Sequence, residues 1–246
     1  TAEDAAGNQT TSSFTVTITD DQAPVIAGTP ANIDQNTDAD ACVATVTWTE
    51  PTDSDNCGST MTSTHSPGDT FAPGTTTVTY TATDIHGNWS TASFTITVTD
   101  DEDPVLSGTP APIVLDTDPG VCLVESVSWT PPTASDNCGS TLSSSHEPGS
   151  QFDLGVTTVT YTATDAAGNS DTTSFTVTVN DNESPVITGT PGAITQDNDA
   201  GNCSAVVTWP APTAADNCSV DTFTSDHSSG DTFPVGTTTV TYTATD

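Results

Sequence analysis

The chain has 246 residues, with 33 Asp and Glu and neither Lys nor Arg, for a formal charge of −33. Soluble domains ordinarily carry about a quarter charged residues of both signs, so this balance excludes nucleic acid and anionic membrane surfaces as partners. It also leaves His as the only partner for a salt bridge, so counter-ions must offset the carboxylate repulsion.

One module is written three times. Thr-Ala-Glu-Asp at 1–4 returns as Thr-Ala-Thr-Asp at 81–84, 162–165 and 243–246, a spacing of 80, 81 and 81 residues. A period of this length marks an array of small units. Residues 5–20 match 85–100 and 166–181, so the first tail has no body and the last body, 186–246, has no tail. The units are then 1–20, the C-terminal strand of a preceding repeat; 21–100; 101–181; and 182–246, a repeat lacking its last strand. A sandwich in that condition exposes a sheet edge, which proteins normally cover or pair. Two readings stand. Either the 246 residues are a window on a continuous tandem chain, favoured because no initiating Met or export signal marks a terminus, or the N-terminal strand of one chain completes the last domain of its neighbour.

Within a unit, Cys42–Trp48 alternates apolar and polar residues until Pro51 ends it. At 77–83, Val78, Tyr80 and Ala82 alternate with Thr, and at 93–99 Phe94, Ile96 and Val98 do the same. Period-two patterning with β-branched residues predicts strands with one buried face, and Asp84–Asn88 supplies Gly and Asn for the turn between them. No stretch has helical periodicity. About seven short strands per unit predict an all-β chain of tandem immunoglobulin-like β-sandwiches in an elongated array. Strands of seven or eight residues are about 25 Å long, so each unit would advance roughly 40 Å. Trp48, Trp129 and Trp209 are expected in the cores beside disulfides, and Trp89, without an equivalent elsewhere, in an exposed turn.

The six Cys fall as Cys42/Cys57, Cys122/Cys138 and Cys203/Cys218, one pair per repeat and none at Cys-x-x-Cys spacing. Zinc clusters are disfavoured by that spacing. Six Cys allow fifteen connectivities, and repeat symmetry favours the three local ones, implying an oxidising, extracellular setting. Sequons at Asn8, Asn88, Asn182, Asn202 and Asn217 are permitted there but arise readily in a chain this rich in Thr and Ser. His65, His146 and His227 recur without a nucleophile at fixed spacing. They read as a structural turn, and no catalytic residue and no enzyme activity are expected.

The order Trp129, Asp136-Asn137-Cys138, Phe152, Val159-Thr160-Tyr161, Asp165, Gly168-Asn169 and Phe175 resembles the HYR (hyalin repeat) module, and the likeness covers essentially the whole chain. The resemblance implies an immunoglobulin-like fold and an extracellular adhesive or structural role, often in tandem. Family members often carry further Cys near the last strand; Ser or Thr stands there in this chain, so one disulfide per unit carries over.

The joining segments 19–24, 99–104 and 180–185 each place acidic residues before a Pro, or before Ser-Pro or Ala-Pro, and resemble the calcium linkers of cadherins. Ca²⁺ takes six to eight hard oxygens at about 2.3–2.6 Å, and clustered carboxylates repel unless a cation sits among them. The last strand runs from the Asp84–Asn88 turn to the C-terminal linker, so that turn belongs beside the linker leading into the repeat. Asp84 and Asn88 are thus expected next to Asp20 and Asp21, Asp165 and Asn169 next to Asp100, Asp101 and Asp103, and Asp246 facing Asp181. Asp136 has two exclusive placements. A Cys122–Cys138 disulfide puts it low in its own domain near Asp181; otherwise it sits in the upper loop near Asp101. The disulfide is favoured, leaving Asp136 outside the site.

The function read from these features is a structural component of an extracellular fibre, stalk or surface layer stiffened by Ca²⁺. Its partners would be further copies of the repeat, with no membrane insertion in this segment. The alternative is a calcium-dependent adhesin recognising glycans or cells through loops that diverge at 61–64, 142–145 and 221–224. Ice binding by ranked Thr is disfavoured on twisted strands, and a passive spacer in a secreted hydrolase is a further reading.

Overall fold

The computed structural model describes residues 1–246 and contains strands and no helix. Ala2–Glu3 (β1) and Gln9–Thr10 (β2) form a small hairpin. The first repeat follows as Val25–Ala27 (β3), Ile33–Asn36 (β4), Ala44–Thr45 (β5), Thr52–Ser54 (β6), Ser59–Ser63 (β7), Thr70–Phe71 (β8), Gly74–Asp84 (β9) and Trp89–Thr99 (β10). On β9 and β10 the apolar residues fall at every second position, so the hairpin they form buries one face and presents Thr on the other. β7 pairs with the free edge of β9 and β4 runs parallel to β10, giving a sheet of order β4-β10-β9-β7. The pairs β3–β6 and β5–β8 form the facing layer. Ala44, Val46 and Phe71 from that layer meet Val78, Tyr80, Phe94 and Ile96 in one core. Trp48 packs on this core, and its indole Nε1 donates to the Tyr80 hydroxyl at 2.6 Å, which satisfies the polar ends of both rings.

The second repeat copies the first: Val105–Ser107 (β11), Ile113–Asp116 (β12), Leu123–Val127 (β13), Thr133–Ser135 (β14), Ser140–Ser144 (β15), Ser150–Asp153 (β16), Gly155–Asp165 (β17) and Ser170–Asn180 (β18). Its sheet order is β12-β18-β17-β15, and its core repeats the same positions. The third contains Val186–Thr188 (β19), Ser204–Val206 (β20), Thr213–Ala215 (β21), Thr222–Ser225 (β22), Thr232–Pro234 (β23) and Tyr242–Thr245 (β24). In place of a four-stranded sheet it has the single pair β22–β24. The chain separates into two compact units, 1–102 with 136–138, and 103–135 with 139–246.

The expected all-β sandwiches are present, with eight strands per complete repeat, most of two to five residues and two of eleven. The divergent stretches 61–64, 142–145 and 221–224, read above as loops, lie largely on the sheet-edge strands β7, β15 and β22. The three recurrent His pack against Phe71, Phe152 and Phe233, with ring centroids 5.1, 5.2 and 5.3 Å apart, the second pair stacked and the other two tilted. Trp89 is exposed.

The cysteine pairing differs from the expectation. Cys42 bonds Cys138 and Cys122 bonds Cys218, each across 96 residues, while Cys57 and Cys203 are free. The cause is the length of the central hairpin. Ser59 pairs with Asp84, so Cys57 sits at the pole where β9 turns into β10. The Thr37 amide donates to the Thr99 carbonyl, so Cys42 sits where β10 ends. An eleven-residue strand separates the two by about 34 Å, whereas a disulfide needs Cα atoms within about 7 Å. The two Cys of one repeat cannot meet, and the Trp rings pack on Phe and Tyr instead of on a disulfide.

Core position and strand face together set the cost of truncation. Val177→Ala removes a fully buried side chain from β18 and is expected to lower unfolding free energy by about 2 kcal/mol. Val156→Ala, on a residue 68% exposed in the paired strand, is expected to change it by less than about 0.5 kcal/mol. Urea unfolding of both variants checks the difference.

Candidate junction sites

The turn between the long strands is built on one carboxylate. In Asp84, Oδ1 accepts from the His86 and Asn88 amides at 2.8 and 2.9 Å, and Oδ2 accepts from Asn88 Nδ2 at 2.7 Å. Gly87, at φ 93°, takes the left-handed position that a side chain would disfavour. Asp165 repeats the arrangement with the Gly168 and Asn169 amides at 2.6 and 2.8 Å and Asn169 Nδ2 at 2.7 Å. Burial pushes Asp84 and Asp165 up, but these hydrogen bonds outweigh it and hold both carboxyls below the ordinary range.

Two trios of carboxylates assemble, the first of them at the Asp84 turn. Asp20 from the linker, Asp55 from the β6–β7 loop and Asp84 from the turn bring oxygens within 4.8 Å of one another. In the second unit Asp181, Asp216 and Asp246 do the same. Asn88 also reaches the linker, donating through Nδ2 to the Asp20 carbonyl at 3.2 Å. A thiol hydrogen bond from Cys57 is the main cause holding the Asp20 carboxyl low, and Asp20 in turn pushes the Cys57 thiol up. His86 Nδ1 lies 3.4 Å from Asp20. Ala6 and Ala167 stand at the His86 position elsewhere in the repeat, so this contact is peculiar to one copy.

Not every anticipated residue joins a trio. Asp21 and Asp103 are exposed, and Asp101 accepts a hydrogen bond from Asn36. Asp100 is buried, with Oδ1 accepting from Asn137 Nδ2 at 3.1 Å and Thr37 Oγ1 at 3.3 Å. That contact corrects the placement of Asp136. The Asp136-Asn137-Cys138 segment belongs to the first unit, held by the Cys42 disulfide and by Asn137 donating to the Ala41 carbonyl at 3.2 Å. The second unit repeats it, with Cys218 bonded to Cys122 and Asn217 Nδ2 donating to Thr117 Oγ1 and the Val121 carbonyl at 3.2 and 3.1 Å. Asp55, Asp136 and Asp216 are the residues that sequence reasoning left out. The signal was the threefold Asp-Asn-Cys, obscured by the assumption of local disulfides.

Oxygens remain unpaired in these segments. Asp216 Oδ2 accepts from the Cys218 amide at 3.0 Å, while its Oδ1 and Asn217 Oδ1 are buried without a donor. Asp136 Oδ1 and Asn137 Oδ1 are in the same condition. With no Lys or Arg in the chain, no protein cation other than His can serve them. The spacing suits a large divalent ion, because two oxygens on opposite sides of Ca²⁺ lie about 4.6–5.2 Å apart.

Two measurements follow from this geometry. Cys218→Ser opens a 96-residue link and is expected to cost about 2–4 kcal/mol, read as a lower denaturant midpoint. Asn169→Ala in chelator removes a donor that lowers the Asp165 pKa. A depressed carboxyl stabilises above its unfolded pKa of about 3.9 and loses that contribution as pH falls. The variant should therefore be less stable than the parent at pH 7, with the gap closing below about pH 4.

The HYR domain model matches residues 19–98, 99–179 and 180–246. The chain is 43% identical over 258 aligned residues to hyalin of Lytechinus variegatus, covering 100% of this chain and 48% of that protein. It is 38% identical over 256 to hyalin of Strongylocentrotus purpuratus, covering 99% and 21%. It thus spans about half of one relative and a fifth of the other. Among solved structures it is similar to cadherin domains 1–4 of protocadherin gamma B7, at 17% identity over 92% of this chain and 68% of that one, with a TM-score of 0.34. With a family match in each of its three repeats, the chain belongs to the HYR domain family.

Proposed function

We propose that this chain is a stretch of an extracellular structural array whose joints are stiffened by Ca²⁺ and stapled by disulfides. The observation that carries the reading is the trio of carboxylates drawn from three separate segments, Asp20/Asp55/Asp84 and again Asp181/Asp216/Asp246, in a chain without basic residues. By the sequence period the same positions recur as Asp100, Asp136 and Asp165. Isolated carboxylates spread apart; three that approach this closely are arranged for a cation. In the second unit the trio joins Asp246 directly after β24, the linker after β18 and the loop after β21, so an ion there bridges two successive repeats. The disulfides support an oxidising environment. No helix is long and apolar enough to cross a membrane, and we assign no catalytic role. The partners of the array are further copies of the repeat, and adhesion to glycans or cells is the second role open to such a surface.

Calcium is expected to raise the melting temperature by several degrees over chelator, since a ligand at a hundredfold its Kd contributes about 2.7 kcal/mol. Asp216→Ala should abolish most of the response of the second unit while leaving its disulfide intact. Equal melting curves with calcium and with chelator, in the parent chain, would overturn the calcium joint.

A further inference from the structure

We propose that the outer face of the sheet β12-β18-β17-β15 docks against the same face of a second copy of this chain, pairing arrays side by side. The inference rests on the repeat-array reading and adds the surface through which neighbouring stretches meet.

The alternation that builds the core also decides what the sheet shows outward. Val159, Tyr161 and Ala163 on β17 and Phe175, Val177 and Val179 on β18 are buried in the core. The even-numbered positions from 156 to 164 and from 170 to 178 therefore face away from it, as do 141 and 143 on β15. All of them are Thr, Ser or Val. A chain with 33 acidic residues thus keeps every one off the outward side of these three strands. On β12, Asp116 stands at the strand end, where its carboxylate accepts from Asn182 Nδ2 at 2.8 Å.

One apolar row crosses this neutral grid. Val114 is beside Thr178 and Thr178 beside Val156, so two Val flank a Thr across three strands. They are 63% and 68% exposed. Hydroxyls are costly to bury when their protons lack acceptors. Thr141 and Ser143 already donate to the Thr164 and Thr162 carbonyls, at 3.1 and 3.2 Å, so a covering surface strands neither donor.

Charge and area select the occupant. At −33 the chain repels its own copies wherever acids meet. A face without charge escapes that repulsion, and its match is another face without charge, which every copy supplies. Strands of 4, 11, 11 and 5 residues, at about 3.4 Å per residue and 4.8 Å between strands, give it about 500 Å². Two such faces about a twofold axis bury about 1,000 Å², the lower bound for a specific interface. Pairing through one repeat is therefore weak and depends on concentration. The first repeat explains the register. Its sheet presents a similar Thr grid, but Asp34 and Thr75 flank Thr97 where Val114 and Val156 flank Thr178. Covering Asp34 would bury a carboxylate with no basic partner, so second repeats pair with second repeats.

Sedimentation equilibrium of the full chain tests the pairing, with the free thiols alkylated so that no covalent oligomer forms. Chelator keeps calcium out of the outcome, and about 0.5 M NaCl screens the net charge. Expected is a mass of 25.0 kDa at low concentration that climbs toward twice that value as concentration rises. In low salt the same climb should need about tenfold more protein, because the net charge then opposes it. Val114→Glu/Val156→Glu, altered only at exposed positions and so able to fold, should stay monomeric. Val105→Glu/Val186→Glu adds the same charge at exposed positions of β11 and β19, outside this sheet, and should associate as the parent does. A parent monomeric at every concentration would leave the face to solvent or to a neutral glycan and overturn the proposal. A climb that survives Val114→Glu/Val156→Glu, or one lost equally in Val105→Glu/Val186→Glu, would overturn it as well. The calcium joint is judged separately, by whether calcium raises the melting temperature of the Val114→Glu/Val156→Glu monomer.

Discussion

The length of the central hairpin governs the rest of the molecule. Two antiparallel strands of eleven residues, β9 with β10 and β17 with β18, span each complete repeat from one pole to the other. A loop side chain therefore belongs to a single pole, and no loop–loop bond can form across a repeat. Cys57, Asp55 and Asp84 share one pole with the incoming linker; Cys42 and Thr37 share the other with the outgoing one. Beyond the hydrogen bonds within each loop, contacts such as Asn88 Nδ2 to the Asp20 carbonyl run to the adjoining linker. The core stabilises each sandwich separately, and the poles are left to connect them.

Those poles must manage charge without a basic side chain. Part of the solution is the backbone. Asp4, Asp84 and Asp165 each fold the chain over their own carboxylate, so amide donors and an Asn side chain take the place of a counter-ion. The remaining acids have fewer donors. Asp216 accepts from one amide and keeps a second oxygen buried and unpaired, and Asn217 spends both its N–H groups on Thr117 and Val121 while its own oxygen faces inward. Unsatisfied oxygens of this kind destabilise a fold unless something electropositive meets them.

Much of the fold was legible because period-two patterning is dense and repeated: Val78, Tyr80, Ala82, Phe94, Ile96 and Val98 all face the core as the alternation requires. Cysteine pairing was not legible from symmetry. A bond within each repeat and a bond from each repeat to the next are both invariant under translation by one repeat, so periodicity cannot choose between them. Strand length chooses, and the eleven-residue strands were longer than the runs of clean alternation. The error then carried Asp136 away from the junction, because its placement had been tied to a Cys122–Cys138 bond. Asp21, Asp101 and Asp103 stand apart from the trios for a different reason: adjacent acids on an extended segment point in alternating directions, so one member faces the turn and its neighbours face solvent or another strand.

The tripeptide Asp-Asn-Cys joins these themes. At 216–218 the Cys is bonded to Cys122, the Asn is clamped to the turn at Thr117 and Val121, and the Asp lies against Asp181 and Asp246. A carboxylate held only by its own loop would swing away from two others of the same charge. Here the disulfide and the amide clamp fix the loop on both sides of the turn, so the third carboxylate stays near the trio despite repulsion. The covalent bond thereby raises the local density of negative charge, and with it the attraction for a cation. Reducing the Cys122–Cys218 bond would release one of the two anchors that hold Asp216 beside Asp181 and Asp246.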